Sequence, residues 1–389
     1  GNFIASLHTL RGGLDELADG PVLGKQAWAG LEAVIRLLLD AAGGKEKVAR
    51  PGGERGDYTT MLPRLKLGDL QGELERLRDD LAAGGPTKLS GAKLTLQRAS
   101  IAASEAVKVT RTTANDEAHR WALAFERQAS RFAEELHHLA PWVDLVGPAK
   151  PYHGTDFASK ARLALLDRTL ADLENYPTLR DVAAMADEVL PAVEAIVDEV
   201  EAATLRPHVD LPYFQRVRRI LTDAAQRSRD RIATLQTLRD LTTPFLQARW
   251  DDLYDRDRDL LHIGFNCAER RPDSGYYDLL ASEMRLGSFV LVATGVVPQD
   301  HWFSLGRQIT TSGSYSALLS WSGSMFEYLM PLLVMPTYPG TLLDQTYRGV
   351  LNRQQEYAKG NGIKAGVPWG VSESGYNATD ANLTYQYRP

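Results

Sequence analysis

Cysteine is nearly missing: Cys267 is the single one among 389 residues. An intrachain disulfide and a cysteine-based zinc site are therefore excluded, and the composition fits a reducing compartment. A basic excess is also missing, with 44 Lys and Arg against 50 Asp and Glu and a formal net charge of −6. Without a dense basic stripe there is no electrostatic case for a nucleic-acid partner, whereas a neutral polymer needs no strong field. Long apolar runs are lacking too. The longest, 289–297 and 328–335, fall well short of the ~20 residues of a membrane span. The opening Gly1-Asn2-Phe3-Ile4 has no basic region followed by an apolar core, which predicts no signal peptide. Neither a phosphate-cradling glycine loop nor a Ser-His-Asp arrangement stands out. His137-His138 reads as trim on an amphipathic helix rather than as a metal pair. Asp251, Asp252, Asp255, Asp257 and Asp259 alternate with Arg256 and Arg258. The ligand order of an EF-hand is missing from that run, so it reads as a solvated, self-paired stretch. No metal or organic cofactor is expected.

What is present is a globular balance, 44% hydrophobic and 24% charged. Residues 1–249 read as helix after helix. Leu70, Leu74, Leu77 and Leu81 recur at helical spacing, as do Trp121, Phe125, Gln128, Phe132, Leu136 and Leu139. Such stripes bury one face and leave the others to charge. Gly20-Pro21, Gly43-Gly44, Gly84-Gly85-Pro86, Pro141 and Gly147-Pro148 separate the helices, and the glycine-rich 49–60 reads as a mobile loop. A long helix is predicted from Pro212 to about Arg249, with Leu221, Ile232, Leu235, Leu238 and Leu241 inward and Pro244 kinking or ending it. Alternating β-branched runs are nearly absent. The expected fold class is all-α, with a helical region over 1–249 and a second region over 250–389.

The second region differs in chemistry. Of 32 aromatic residues, 13 lie in 1–249 and 19 in the remaining 140. Aromatic rings stack on sugar faces and also fill cores. Two acidic residues stand out in this setting. Asp278 precedes a helix-like stretch and is placed to cap its first turn, and Glu283 follows among apolar neighbours. A carboxyl in apolar surroundings resists ionisation, which suits a general acid; the alternative is an ion pair with Arg285 or another arginine. Glu373 sits in Trp369-Gly370-Val371-Ser372-Glu373-Ser374-Gly375-Tyr376, a loop meeting an element start. Two serines can bond its carboxylate there, while Trp369 and Tyr376 offer platforms. The alternative is that Ser372 or Ser374 merely caps a helix. Glu327, inside the apolar run 325–330, needs a partner or a function. His301-Trp302 either lines a sugar site or packs. Two glutamates among aromatics suit the two-carboxylate logic of glycoside hydrolysis.

Several long strings carry a more specific likeness. They are Leu261-His262-Ile263-Gly264-Phe265-Asn266, residues 276–286, Pro298-Gln299-Asp300-His301-Trp302-Phe303, residues 318–335, Tyr338-Pro339-Gly340-Thr341-Leu342-Leu343-Asp344-Gln345-Thr346, and residues 367–377. In order and spacing, 250–389 resembles the glucoamylase-like domain of bacterial cyclic β-1,2-glucan synthases. The region before it is loosely similar to the one preceding that domain, through pieces such as Leu139-Ala140-Pro141-Trp142. The resemblance implies part of an (α/α)6 barrel. It implies anomer-retaining transfer and cyclisation of linear β-1,2-glucan, with Glu283 as acid/base and Glu373 as nucleophile. Tyr277, Asp278, His301, Trp302, Trp321, Glu327, Trp369 and Tyr376 would line the groove. It further implies a glycosyltransferase domain in the same parent and a position on the cytoplasmic side of the bacterial inner membrane. Gly375 stands where the family string commonly has alanine, and 357–366 is longer than usual. Twelve helices build such a barrel and 250–389 has room for about half, so an exposed apolar face is expected. An endo-β-1,2-glucanase-type hydrolase and a non-catalytic, glucan-binding scaffold are the rival readings.

Overall fold

The computed structural model describes residues 1–43, 68–113, 115–145, 157–202, 211–247, 249–312, 315–360, 369–372, 374–379, 381 and 385–388. The glycine-rich 49–60 lies outside them. Most described residues are helical, as the stripes predict, and the fold class is all-α. The chain divides into two compact units, one of residues 14–238 and one of 1–13 with 239–389.

The 14–238 unit is built from α1 (Asn2–Asp19), α2 (Lys25–Ala42), α3 (Asp69–Ala82), α4 (Leu89–Arg111), α5 (Asp116–Leu139), α6 (Phe157–Leu173), α7 (Leu179–Ala202) and α8 (Leu211–Leu241). The first turns of α1 and the last turn of α8 belong to the other unit. Helix α2 packs on α3 and α5, α4 on α5, and α6 on α7. Leu74, Leu77 and Leu81 of α3 are buried against Leu31, Ile35 and Leu38 of α2 in one core. At about 25 cal/mol per Å² of apolar surface removed from water, each such leucine contributes roughly 1.5–3 kcal/mol. Asn115 caps α5: its Oδ1 accepts from Ala118 N at 3.0 Å, and its Nδ2 donates to Ala41 O at 3.0 Å, binding the start of α5 to the end of α2.

Helix α8 ends at Leu241, three residues before Pro244, which occupies the first turn of the short α9 (Thr243–Leu246). The expected inward stripe is corrected at its end. Leu221 and Leu235 are buried, but Leu238 and Leu241 are exposed. The buried face runs instead through Phe214, Val217, Leu221, Ala224, Ala225 and Ser228.

The second unit adds α10 (Ser282–Ala293), α11 (Asp300–Ser304), α12 (Met325–Leu329) and α13 (Leu342–Gly360). Among the described residues, four antiparallel hairpins join them: β1 (Tyr254–Asp255) with β2 (Leu260–Leu261), β3 (Phe265–Asn266) with β4 (Arg271–Pro272), β5 (Ile309–Ser312) with β6 (Tyr315–Leu318), and β7 (Ser374–Thr379) with β8 (Tyr385–Arg388). Side chains make the first two turns. Asp255 Oδ1 accepts from the amides of Asp257 and Arg258, and Asn266 Oδ1 from those of Ala268 and Glu269. These are Asx turns. The charge run pairs within itself, Arg258 with Asp255 at 3.1 Å and Arg256 with Asp251 at 3.4 Å. Helix α13 lies close on β6 because Gly349 faces it; a Cβ there would stand 3.3 Å from Ser316 O.

Candidate active site

The site grows from the turn before α10. Asp278 Oδ1 accepts from Leu280 N and Ala281 N, both at 2.9 Å, and so holds the chain as it enters the helix. Its second oxygen, Oδ2, accepts from the indole Nε1 of Trp321 at 2.9 Å. Trp321 is 84% exposed, with its ring turned to solvent and its N–H engaged.

Trp321 belongs to a loop wrapped around one carboxylate. Glu327 of α12 is buried, and its side chain points back into 320–322. It accepts from Ser320 Oγ, from Trp321 N at 3.3 Å, and from Ser322 N and Oγ at 3.2 and 3.1 Å. Ser324 caps α12 through its Oγ to Glu327 N at 3.2 Å. Gly323, at φ +70°, makes the reversal between the two serines, a conformation that favours glycine. The partner that a buried glutamate requires is thus its own upstream loop.

Arg285 of α10 lies beneath this turn and is fully buried. One nitrogen, Nη2, donates to both Glu327 O and Tyr328 O at 3.0 Å, filling carbonyls that a one-turn helix leaves open. The guanidinium faces the Tyr347 ring at 5.9 Å, and its Nε and Nη1 have no hydrogen-bond partner among the described residues. Burial pushes its pKa down, opposed by the nearby Tyr347, Glu327 and Asp278.

Gln354 of α13 completes the frame. Its Nε2 donates to Gly323 O at 3.1 Å, and its Oε1 accepts from Val371 N at 2.8 Å. Met325 N also donates to Val371 O at 2.8 Å. Segment 369–372, carrying the exposed Trp369, is thereby docked on the Gly323–Met325 turn. Nothing in the sequence singles out Gln354 or Arg285 for these contacts, since their partners lie far along the chain.

The other expected site residues are placed as follows. Glu283 stands in the first turn of α10 with an exposed side chain. The apolar enclosure anticipated from its neighbours is not formed, because residues one and two positions along a helix face elsewhere: Met284 and Arg285 turn inward. The half-buried Tyr277 lies near Glu283, and burial, with the charges of Glu283 and Asp273, raises its pKa. His301 is fully buried, its Nδ1 bonded to Asp259 O at 2.7 Å and its Nε2 to Ser288 Oγ at 2.8 Å. Both ring nitrogens are engaged within the fold. Trp302 is half-buried against Phe289, with ring centroids 6.5 Å apart. Glu373 lies outside the described residues. Tyr376 falls in β7.

No helix among the described residues is long and apolar enough to cross a membrane, and no group of three or more His, Cys, Asp or Glu side chains among them is arranged to hold a metal ion. No family model matches the chain. Over 135 residues, 35% of its length, the chain is 48% identical to the cyclic beta-(1,2)-glucan synthase NdvB of Rhizobium meliloti (strain 1021). The chain spans about 5% of that relative's length. Identity of this degree over so long a stretch marks that part of the chain as related to a glucan synthase.

Proposed function

We propose that the chain is a piece of a cyclic β-1,2-glucan synthase and carries part of the domain that transfers and cyclises linear β-1,2-glucan with retention at the anomeric carbon. The observation that carries this reading is the 48% identity over 135 residues to a cyclic beta-(1,2)-glucan synthase. The exposed, oriented Trp321 beside Asp278, and the docking of 369–372 just ahead of Glu373, support a carbohydrate groove in the same unit.

In this reading, Glu373 attacks the anomeric carbon and forms a glycosyl ester as Glu283 gives its proton to the departing oxygen. Glu283, now ionised, takes the proton of an incoming glucan hydroxyl as that oxygen displaces Glu373. Two inversions leave the configuration retained, which requires the two carboxyls to stand roughly 5–5.5 Å apart. Trp321 and Trp369 would offer ring faces to glucose units, Tyr277 and Asp278 would offer polar contacts, and Tyr376 would belong to the same groove. The helices of 250–389 would form part of an (α/α)6 barrel, completed elsewhere in the parent. A glycosyltransferase domain of that parent, on the cytoplasmic side of the inner membrane, would supply linear chains.

The test is incubation of the chain with linear β-1,2-glucan followed by mass spectrometry of the products, beside Glu283→Gln and Glu373→Gln. Redistributed or cyclised chains, lost in both variants, are the expected result. Shorter reducing chains would make the activity hydrolytic. Glucan binding without turnover by the folded chain would make this piece a binding scaffold.

A further inference from the structure

Trp321 combines exposure with fixed orientation. Its ring is 84% exposed, yet the residue is fixed at both ends, by its main-chain N–H to Glu327 Oε1 and by its indole N–H to Asp278 Oδ2. Ordering a large side chain without burying it gains little from the hydrophobic effect and costs rotamer entropy. The fixed ring face is therefore a surface prepared for a ligand.

What fixes it is a buried carboxylate bonded to the loop. Glu327 takes bonds from two hydroxyls and two amides of 320–322, close to the four lone-pair sites a carboxylate offers. Three of these bonds fall on Oε2 and one on Oε1, and at 5% exposure the carboxylate is enclosed by the loop rather than presented to a sugar hydroxyl. Arg285 steadies the same turn from below by holding the carbonyls of Glu327 and Tyr328. We propose that Glu327 is a positioning residue: acting through 320–322, with Arg285 as its anchor, it sets the Trp321 ring against Asp278 as a platform for a glucose unit, and it does not itself touch the glucan. This rests on the glucan reading for the ligand, but not for the positioning.

The experiment separates the two. The chain contains seven tryptophans, so 5-fluorotryptophan labelling yields a fluorine NMR spectrum in which Trp321→Phe assigns one line by its loss. Glu327→Gln turns an amide N–H₂ toward donors and breaks the arrangement without changing size. The Trp321 line is expected to shift and broaden while the other six hold. Affinity for linear β-1,2-glucan, read by titration, is expected to fall about tenfold, the loss of one charge-assisted hydrogen bond's worth of orientation, and to fall likewise in Trp321→Phe. Ser320→Ala/Ser322→Ala, which leaves the carboxylate in place and removes two of its donors, gives the same readout if Glu327→Gln does not fold. A Trp321 line unmoved in the folded variants overturns the positioning role. A line that moves while Trp321→Phe and Glu327→Gln bind glucan like the parent overturns the platform role. Absence of glucan binding by the parent chain defeats the glucan reading, and the NMR arm still decides the positioning.

Discussion

His301 titrates against the fold that encloses it. Burial lowers its pKa from the ordinary 6.5, and the bond to Asp259 O opposes that only in part. The folded protein thus keeps the ring neutral where the unfolded chain would protonate it. This stabilisation is complete above about pH 6.5 and is lost as pH falls through the lower folded value. Thermal midpoints of the parent and His301→Gln, followed from pH 8 to pH 5, are expected to converge on the acid side; parallel curves would contradict this. Arg285 makes a different case. Its bonds to two carbonyls contribute about 1 kcal/mol each, but a desolvated guanidinium with two unbonded nitrogens costs several. Arg285→Met is therefore expected to change the free energy of unfolding by no more than about 1 kcal/mol, measured in urea, and a loss above about 3 kcal/mol would make the arginine a net stabiliser. At this scale the sequence was informative only where partners are near neighbours. Asp278 holds amides two and three residues ahead, as its place before a helix suggests. The alternative of an ion pair between Glu283 and Arg285 looked equally local, yet Arg285 spends its bonds on carbonyls 42 and 43 residues away.

Among the elements, the long helices were readable because their signal is periodic and repeated. Leucines at helical spacing in 70–81 bury one face, and that face is the one packed on α2. Asn115 adds a contact that periodicity does not announce, joining the start of α5 to the end of α2. Asn115→Ala removes both bonds from a fully buried position and is expected to cost about 1–2 kcal/mol, seen as a lower urea midpoint with an unchanged slope. A cost within a few tenths would show that water replaces the cap. The hairpins of 250–389 escaped sequence reading for a physical reason. Strands of two to six residues are too short for alternation to register, and their turns are set by single side chains and by positive φ at Asp259 and Arg270. The outward turn of Leu238 and Leu241 escaped as well, because a stripe says which residues share a face and not where along the helix the covering ends.

For the molecule as a whole, exposed apolar side chains bear on its behaviour in solution, and 250–389 holds several of them. Leu333 is 81% exposed, and Phe303, Ile309, Phe326, Tyr338 and Trp369 are exposed with it. This chain should therefore enhance the fluorescence of anilinonaphthalene sulfonate while folded, and Leu333→Gln should reduce the effect; a signal no higher than that of the buffer would show these side chains to be too scattered to bind the dye. Gln354 carries a consequence of another kind. Its amide donates to Gly323 O, 31 residues back, and accepts from Val371 N, 17 residues ahead. Glutamate would set an acceptor against that carbonyl, asparagine would fall short of both loops, and lysine or methionine would abandon one contact or both. In a saturation library sorted for resistance to proteolysis, position 354 would return to a single codon family, as though one letter of the text had been printed in ink that does not smudge.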